Sequence, residues 1–311
     1  MKFSTQRTWL AALLIGVCVS AVRTTDAQTE SPVIKINEAA AMADITTTPL
    51  RGGISKLMGS GGNITVLTAP DGKFLVDGGI SVSKDKIRTA LAGLGGGSPK
   101  YLVNTHWHWD HTDGNPWLHE AGATIIGHSR TLEHLSQTIR VEDWNYTFQP
   151  LPVAARPTVL VDAEKTMEFG GESILIRAYK ASHTDGDLSV YFRKADVLAT
   201  GDTFWNGYYP FIDYVGGGGI DGMIEAANAN LTMTTDKTII VPGHGPVADR
   251  RQLVAYRDML VAIRKNVADL KAKGLAVDQA IAAKPTSAFD ATWGQYVIDP
   301  AFFTRLVYHG L

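Results

Sequence analysis

The twelve residues from Asn104 to Asn115, NTHWHWDHTDGN, hold three histidines and two aspartates interleaved with two tryptophans. Imidazole nitrogen and carboxylate oxygen are ligands that a zinc ion takes readily. His106 and His108 stand two apart, so in an extended segment they project to the same side. Asp110 and His111 follow a presumed bend toward a helix and can face a second ion. A polar loop that is merely rich in histidine has the same composition, so a metal site requires further ligands elsewhere in the chain.

Such ligands are expected where strands end, because loops there present side chains while the strands fix their positions. YLVNT reads as a short buried strand that ends just before His106. Three later segments share that form: IRAYKASHTDGD leads from a strand to His183, DVLATGDTFWN to Asp202, and KTIIVPGHGP to His244. His106, His108, Asp110, His111, His183, Asp202 and His244 are then enough for two metal ions with open positions for water and substrate.

The elements that must hold these residues alternate along the chain. NITVLTAPDGKFLVDGG predicts a hairpin, with strands at Ile64 to Leu67 and Phe74 to Val76 around a Pro-Asp-Gly turn. Ile87, Ala90, Leu91 and Leu94 recur at helical spacing before three glycines from Gly95. Asn115 and Pro116 read as N-cap and first position of a helix ending near Gly122, and ATIIG as the next strand. ESILIRAY, LSVYF, DVLAT and KTIIV are further strands, with a helix from about Ile220 to Met233. From Asp249 to Lys273 the residues Leu253, Tyr256, Leu260, Ile263, Val267 and Leu270 mark one long amphipathic helix stopped by Gly274. Residues 28–52 lack clear periodicity and read as an N-terminal arm. Strands and helices mixed in two comparable halves, with no low-complexity linker, predict one α/β domain over residues 53–311, closed by a C-terminal helical extension.

The run His106-Trp107-His108-Trp109-Asp110-His111 is an HxHxDH motif. Taken with Asp77 in LVDGG, His183, Asp202 in TGD and His244 in PGHG, it resembles the metallo-β-lactamase superfamily over roughly Ile64 to Gly274. The resemblance implies a four-layer αββα sandwich and a site for two zinc ions. It places His106, His108 and His183 on the first ion, Asp110, His111 and His244 on the second, and Asp202 between them. Asp77 would brace the backbone of the site without being a ligand. Two zinc ions about 3.5 to 4 Å apart can share a hydroxide, and zinc lowers the pKa of bound water from 15.7 to about 7. The implied chemistry is hydrolysis of an ester-like or amide bond, with the histidines at 106, 108 and 111 holding the metals and Asp110 able to handle the proton.

Composition bounds the rest. The first thirty residues carry Lys2 and Arg7, an apolar run from Trp9 to Val22 and then small polar residues, and TDA ends at Ala27. That is the pattern of a signal peptide over residues 1–27, and it places the mature chain in the periplasm or outside the cell. Its removal leaves 284 residues with 26 basic and 30 acidic side chains, a balance without a nucleic-acid footprint. No membrane anchor remains after cleavage; Val17 before Cys18 fits a lipidation signal poorly. Cys18 is the only cysteine, so the mature chain has neither disulfides nor thiolate ligands.

The substrate is expected to be a small molecule: a lactone, a β-lactam or a related carboxylic derivative. The missing cysteine argues against lactamases whose second zinc uses one, and the bridging Asp202 is closer to lactonases and glyoxalase-type thioesterases. Two alternatives stand beside this reading. The fold hosts iron-dependent oxidoreductases, although diiron members carry Glu where His108 stands, and a mononuclear iron oxygenase would leave His111 and His244 without a metal. A non-catalytic metal-binding accessory protein is the other.

Other features have plainer readings. His119, His128, His134 and His309 are expected to be surface or locally bonded histidines, with His128 at a strand end the nearest to an exception. Trp107 and Trp109, alternating with the histidines, are expected to face packing. Phe204, Trp205, Tyr208, Tyr209, Phe211 and Tyr214 can line a substrate wall or pack under the long helix. Gly216 to Gly219 can hinge a lid or form a tight connection. Ile54, Leu57 and Met58 can meet substrate or belong to the core.

Overall fold

The computed structural model describes residue 1 and residues 31–311. The expected signal peptide and its cleavage point lie outside the described residues. A seven-stranded sheet runs in the order Thr46–Pro49, Ile54–Met58, Ile64–Ala69, Gly72–Val76, Pro99–Val103, Thr124–Gly127, Val159–Leu160. A five-stranded sheet runs in the order Glu164–Phe169, Glu172–Ala178, Leu188–Phe192, Val197–Ala199, Ile239–Val241.

Alternation along the strands builds the layers. Phe74, Val76, Val103 and Ile126 face the gap between the sheets, where they meet Ile174, Ile176, Val190, Phe192 and Val197. Their chain neighbours Leu75, Leu102 and Ile125 face the other way. They pack on Ile87 and Leu91 of helix Lys84–Gly93 and on Trp117 and Leu118 of helix Asn115–Glu120. A third cluster sets Ile240 beneath Met223 and Ala227 of helix Ile220–Met233 and Leu253, Tyr256 and Leu260 of helix Arg250–Ala272. Three apolar interfaces make four layers, helix on sheet on sheet on helix, which is the αββα sandwich expected. Each large apolar side chain in them contributes roughly 1.5 to 3 kcal/mol on burial.

The strand pairings level the loops that follow. Gly72–Val76, Pro99–Val103 and Thr124–Gly127 are parallel, with Val76 opposite Val103 and Val103 opposite Ile126. Val197–Ala199 and Ile239–Val241 are parallel, with Ala199 opposite Val241. The carboxyl ends within each sheet therefore share one edge, where ligand-bearing loops of parallel sheets collect. Two backbone hydrogen bonds join the sheets there: Leu188 N donates to Thr105 O at 2.7 Å and Asn63 N to Gly243 O at 2.8 Å.

Several expectations need correction. The arm at 28–52 is not irregular in its described part: Ser31 caps a helix Pro32–Met42, and Thr46–Pro49 is the edge strand of the larger sheet. The helix buries only Val33, Ile36 and Ala40, a stripe thinned by small alanines, and proline is tolerated at a sheet edge. The sheet thus begins before residue 53. Ile54–Met58 is its second strand, with Ile54 and Leu57 in the core and Met58 partly exposed. Strand Glu164–Phe169 is largely polar and carries no apolar alternation along the sequence, but Gly170 and Gly171, both at positive φ, turn it into its partner.

Asn115 also differs. It lies inside the helix, whose N-cap is Gly114, because its side chain is engaged elsewhere. The amides of Asn104 and Asn115 pair reciprocally at 2.9 and 2.8 Å, and Asn115 Nδ2 also donates to Ala155 O at 3.0 Å. Both are fully buried, so truncating one strands the other. Asn115→Ala is expected to lose about 2 kcal/mol of stability, read from urea unfolding at fixed zinc concentration; an unchanged midpoint would show that the pair does not tie the loop to the helix.

Candidate metal centre

All seven sequence-predicted ligands converge at the shared sheet edge. His106, His108, His183 and Asp202 form one group of ligand atoms, and Asp110, His111 and His244 another, each spanning less than 4.8 Å. Asp202 reaches both: Oδ2 lies 3.4 Å from His183 Nε2 and 3.2 Å from His244 Nε2, while Oδ1 lies 3.2 Å from His111 Nε2. Asp110 Oδ2 stands 3.4 Å from His244 Nε2 and 3.6 Å from His111 Nε2. All seven side chains are buried.

What each imidazole presents is set from behind. His183 Nδ1 lies 2.8 Å from Phe211 O, a carbonyl that can only accept. The proton therefore sits on Nδ1, and Nε2 turns a lone pair inward. His108 Nε2 lies 3.0 Å from Asp213 Oδ2. Burial would raise the Asp213 carboxyl, but the hydrogen bond and charge of His108 and the Gly216 N–H hold it below the usual carboxylate range. With an ionised acceptor behind it, His108 donates from Nε2 to Asp213 and turns Nδ1 inward. The inward nitrogens, Nδ1 of His108 and Nε2 of His183, stand 2.9 Å apart, a contact that a proton on His108 Nδ1 makes a hydrogen bond and that two neutral rings leave open to a metal ion.

The other ligands are braced in the same manner. His111 Nδ1 meets Asp77 Oδ2 at 2.8 Å. Asp77, held at φ +65°, also accepts from Thr105 N and Thr105 Oγ1, each at 2.8 Å. Thr105 Oγ1 in turn lies 3.1 Å from His106 Nδ1. His106 Nε2 and Asp202 Oδ1 are buried with no hydrogen-bond partner. Orphaned ligand atoms at the focus of a His and Asp cluster are what a metal site requires, so the residues fit the two ions the family resemblance implies. Close approach is enforced as well: a Cβ on Gly243 would lie 1.9 Å from Asp202 Oδ1, and one on Gly62 2.4 Å from the His111 ring.

Electrostatics follow from the crowding. Burial would raise the Asp202 carboxyl, yet His244, His111, His106 and His183 together hold it well below its ordinary range. Burial pushes His106 well down and takes His183 to about 4. His111 goes the other way: burial is outweighed by Asp202, Asp110 and Asp77, and its imidazole is held well above the usual value. Behind His183, burial takes Asp187 up to about 7 against hydrogen bonds from Ser182 and Thr184.

A narrow cleft opens onto His108, Asp110, His183, Asp202 and His244. Its other walls are Trp205 and Phe211 after the bridging aspartate, Ile36 of the N-terminal helix, Trp144, and Tyr296 with Val297 from the C-terminal segment. The aromatic stretch after Asp202 therefore divides: Trp205 and Phe211 line the cleft, whereas Phe204 packs on Tyr256 and Tyr209 stacks on Phe303. Trp107 and Trp109 face packing, and Trp107 Nε1 additionally donates to Asp213 Oδ2 at 3.1 Å. Gly216 to Gly219 form a tight connection, not a hinge: Gly216 N donates to Asp213 Oδ1 at 2.9 Å and Gly219 N to Ser182 O at 2.8 Å. His119 and His128 make local bonds and His309 is exposed, whereas His134 departs from that expectation: its Nε2 lies 2.7 Å from Asp185 Oδ1, far along the chain, and its ring packs on Trp107.

The sequence reading missed Asp213 and the cleft residues Ile36, Trp144, Tyr296 and Val297. Asp213 had one visible signal, a lone carboxylate inside an apolar aromatic run. The others come from segments far apart in the chain, and only tertiary packing brings them to the metals.

Comparison with known proteins agrees with this geometry. A family model described as the metallo-beta-lactamase superfamily matches residues 57–244. A stereoselective inverting sec-alkylsulfatase, Pisa1 from Pseudomonas sp., superposes with a TM-score of 0.66 at 15% identity, over 88% of this chain and 51% of that one. This chain thus spans about half the length of that protein. A metallo-beta-lactamase from Pontibacter korlensis gives 0.56 at 16% identity, and the DIM-1 metallo-beta-lactamase 0.54 at 19%, each over 70% of this chain and 99% and 97% of theirs. At these identities the likeness is one of fold.

Because metal ligation requires neutral imidazole, an ion taken up by the second group would displace the proton held on His111. Zinc binding near pH 7 is expected to release about one proton on this account and to weaken as pH falls. Calorimetry in buffers of different ionisation enthalpy measures this, and a buffer-independent heat would contradict it. Asp213→Asn should weaken zinc binding by about 10- to 100-fold, read by competition with a chromogenic chelator.

Proposed function

The chain belongs to the metallo-β-lactamase superfamily of metal-dependent hydrolases, and from that premise we propose that it is an exported hydrolase that uses two zinc ions to cleave a lactone, a β-lactam or a related ester or amide bond of a small molecule. The observation that carries this reading is the convergence of seven buried His and Asp side chains in two groups of ligand atoms, with His106 Nε2 and Asp202 Oδ1 buried without a hydrogen-bond partner. His106, His108 and His183 would hold one ion, Asp110, His111 and His244 the other, with Asp202 reaching both. Zinc in such a pair supplies Lewis acidity and a water that ionises near neutral pH.

The protein's own groups do the remainder. Asp110 lines the cleft as well as facing His244, so it can take the proton of the attacking water and pass one to the leaving group. Asp77 and Asp213 fix the imidazole rings, which removes reorganisation of the ligands during turnover. Trp205 and Phe211 exclude bulk water from the reacting bond. Export is supported by the basic, apolar and small-residue pattern of residues 1–27. The same apolar walls would also suit the hydrocarbon part of a sulfate ester.

Metal analysis of protein purified without added zinc separates the classes. About two zinc ions per chain is the expected result; one iron per chain would sink the hydrolase in favour of an oxidoreductase. His108→Ala should lose metal from the first group and nearly all turnover on a panel of lactone, β-lactam, thioester and sulfate ester substrates, and retained turnover would defeat the assignment.

A further inference from the structure

Four of the five candidate histidine ligands are held from behind. His183 has the Phe211 carbonyl, His108 has Asp213, His111 has Asp77 and His106 has the Thr105 hydroxyl. His244 is the exception: its Nε2 faces Asp110, Asp202 and His111, and among the described residues no hydrogen bond reaches its Nδ1. A ligating imidazole ordinarily takes its orientation from a bond to that outer nitrogen. His244 must be aimed in another way.

Its turn supplies the hold. Asn63, 5% exposed, stands just before strand Ile64–Ala69 and bonds to that turn three times. Its backbone N donates to Gly243 O at 2.8 Å, and its Nδ2 donates to Pro242 O at 2.8 Å and to Gly245 O at 3.0 Å. The carbonyls lie on both sides of His244 in the chain, so one residue fixes the backbone before and after the ligand. A primary amide suits the task, since Nδ2 carries two hydrogens and meets two groups that can only accept. Lys56 Nζ adds a longer bond to Gly245 O at 3.3 Å. From the segment after Asp202, Asn206 N donates to His244 O at 3.0 Å, and the Trp205 ring lies 4.2 Å from the imidazole between centroids.

The same loop touches the other ligands of the second group. A Cβ on Gly61 would lie 3.1 Å from Asp110 Cβ, and one on Gly62 2.4 Å from the His111 ring. Residues 61, 62 and 63 thus pack in succession on Asp110, on His111 and on the turn of His244. On the two-metal reading above, we propose that Asn63 is a positioning residue for the second ion. It holds the turn 242–245 and through it aims His244, in place of the outer-nitrogen bond that the other four histidines have.

The test uses the full chain in two states. In metal-free protein, long-range proton–nitrogen spectra resolve the histidine rings, each identified by its loss in the matching alanine variant. Asn63→Ala should shift or split the His244 signals and leave in place those of His183, whose bond to Phe211 O is untouched. Unchanged His244 signals overturn the proposal, and so do equal shifts at His183, which would mark general loosening. With zinc, Asn63→Ala should weaken the ion that His244→Ala also weakens, by about 10- to 100-fold in Kd by chelator competition, and change the other by about 2-fold at most. Asn63→Leu, which keeps the bulk and removes the donors, should do the same; wild-type affinity in it overturns the proposal. Added to His244→Ala, Asn63→Ala should cost no more than about 2-fold further, because its effect runs through that ring. A further loss of about 10-fold would show a merely structural role. If the wild type takes up one ion only, the two-metal reading fails, while the metal-free spectra still decide whether Asn63 aims His244.

Discussion

The opposition of His108 and His183 is the constraint around which the molecule is organised. Each ring is held from its outer nitrogen, one by Asp213 and the other by the carbonyl of Phe211, so that the inner nitrogens stand 2.9 Å apart. The outer partners fix which nitrogen turns inward, because reversing a ring would leave a buried carbonyl or carboxylate facing a lone pair. A proton or a metal ion satisfies the inner pair, so the protein builds in advance a place for positive charge. His111 extends the logic: with Asp77 behind and Asp202 and Asp110 in front, it holds positive charge where an ion is to sit.

Much of the chain serves that arrangement indirectly. Asp213 is the point where ligand, packing and backbone meet, since it accepts from His108, from the indole of Trp107 and from the Gly216 amide. A Cβ at Gly216 would lie 2.3 Å from its carboxylate and 2.7 Å from the Trp107 indole nitrogen, which explains the glycine at that position. Trp107 in turn is boxed by Phe148 and His134. The tryptophans of HxHxDH therefore couple the metal ligands to the apolar cluster under the helical layer. Ligand geometry here is a property of the core, and loosening that core by one aromatic contact would be felt at the candidate metal ligands.

How much of this was legible in the sequence follows from how local each signal is. The hairpin around Pro70 to Gly72, helix Ile220–Met233 and the long helix Arg250–Ala272, with Asp249 capping it and Gln252 bonding back, announce themselves through turn chemistry, periodicity and caps within a few residues. The seven candidate ligands were legible because each follows a strand that reads as one. The N-terminal helix and its neighbouring edge strand were missed since their buried faces are thin and their context is tertiary. Asn115 looked like an N-cap by residue type, but its pairing with Asn104, across the loop that carries the ligands, won the side chain. Asp213, Trp144 and Tyr296 acquire meaning only from what they touch.

The same burial that poises the centre makes it a weak point of the fold without its ions. Two sheets meeting on Phe74, Phe192 and their neighbours can hold many charged and polar groups at one edge, yet each such group carries a desolvation cost that neutral partners do not repay in full. An ion bound to the folded state alone offsets that cost and adds stability in proportion to the logarithm of its concentration over its dissociation constant. Zinc would then act twice, as reagent and as the staple of the sheet edge. The apolar roof of Ile36, Trp144, Trp205, Phe211 and Val297 makes the coupling stronger, because the low-dielectric surroundings that sharpen attraction to a substrate carbonyl also sharpen repulsion among uncompensated ligands. Dependence on metal for a settled core would then follow from the same burial that sets the electrostatics of the ligands.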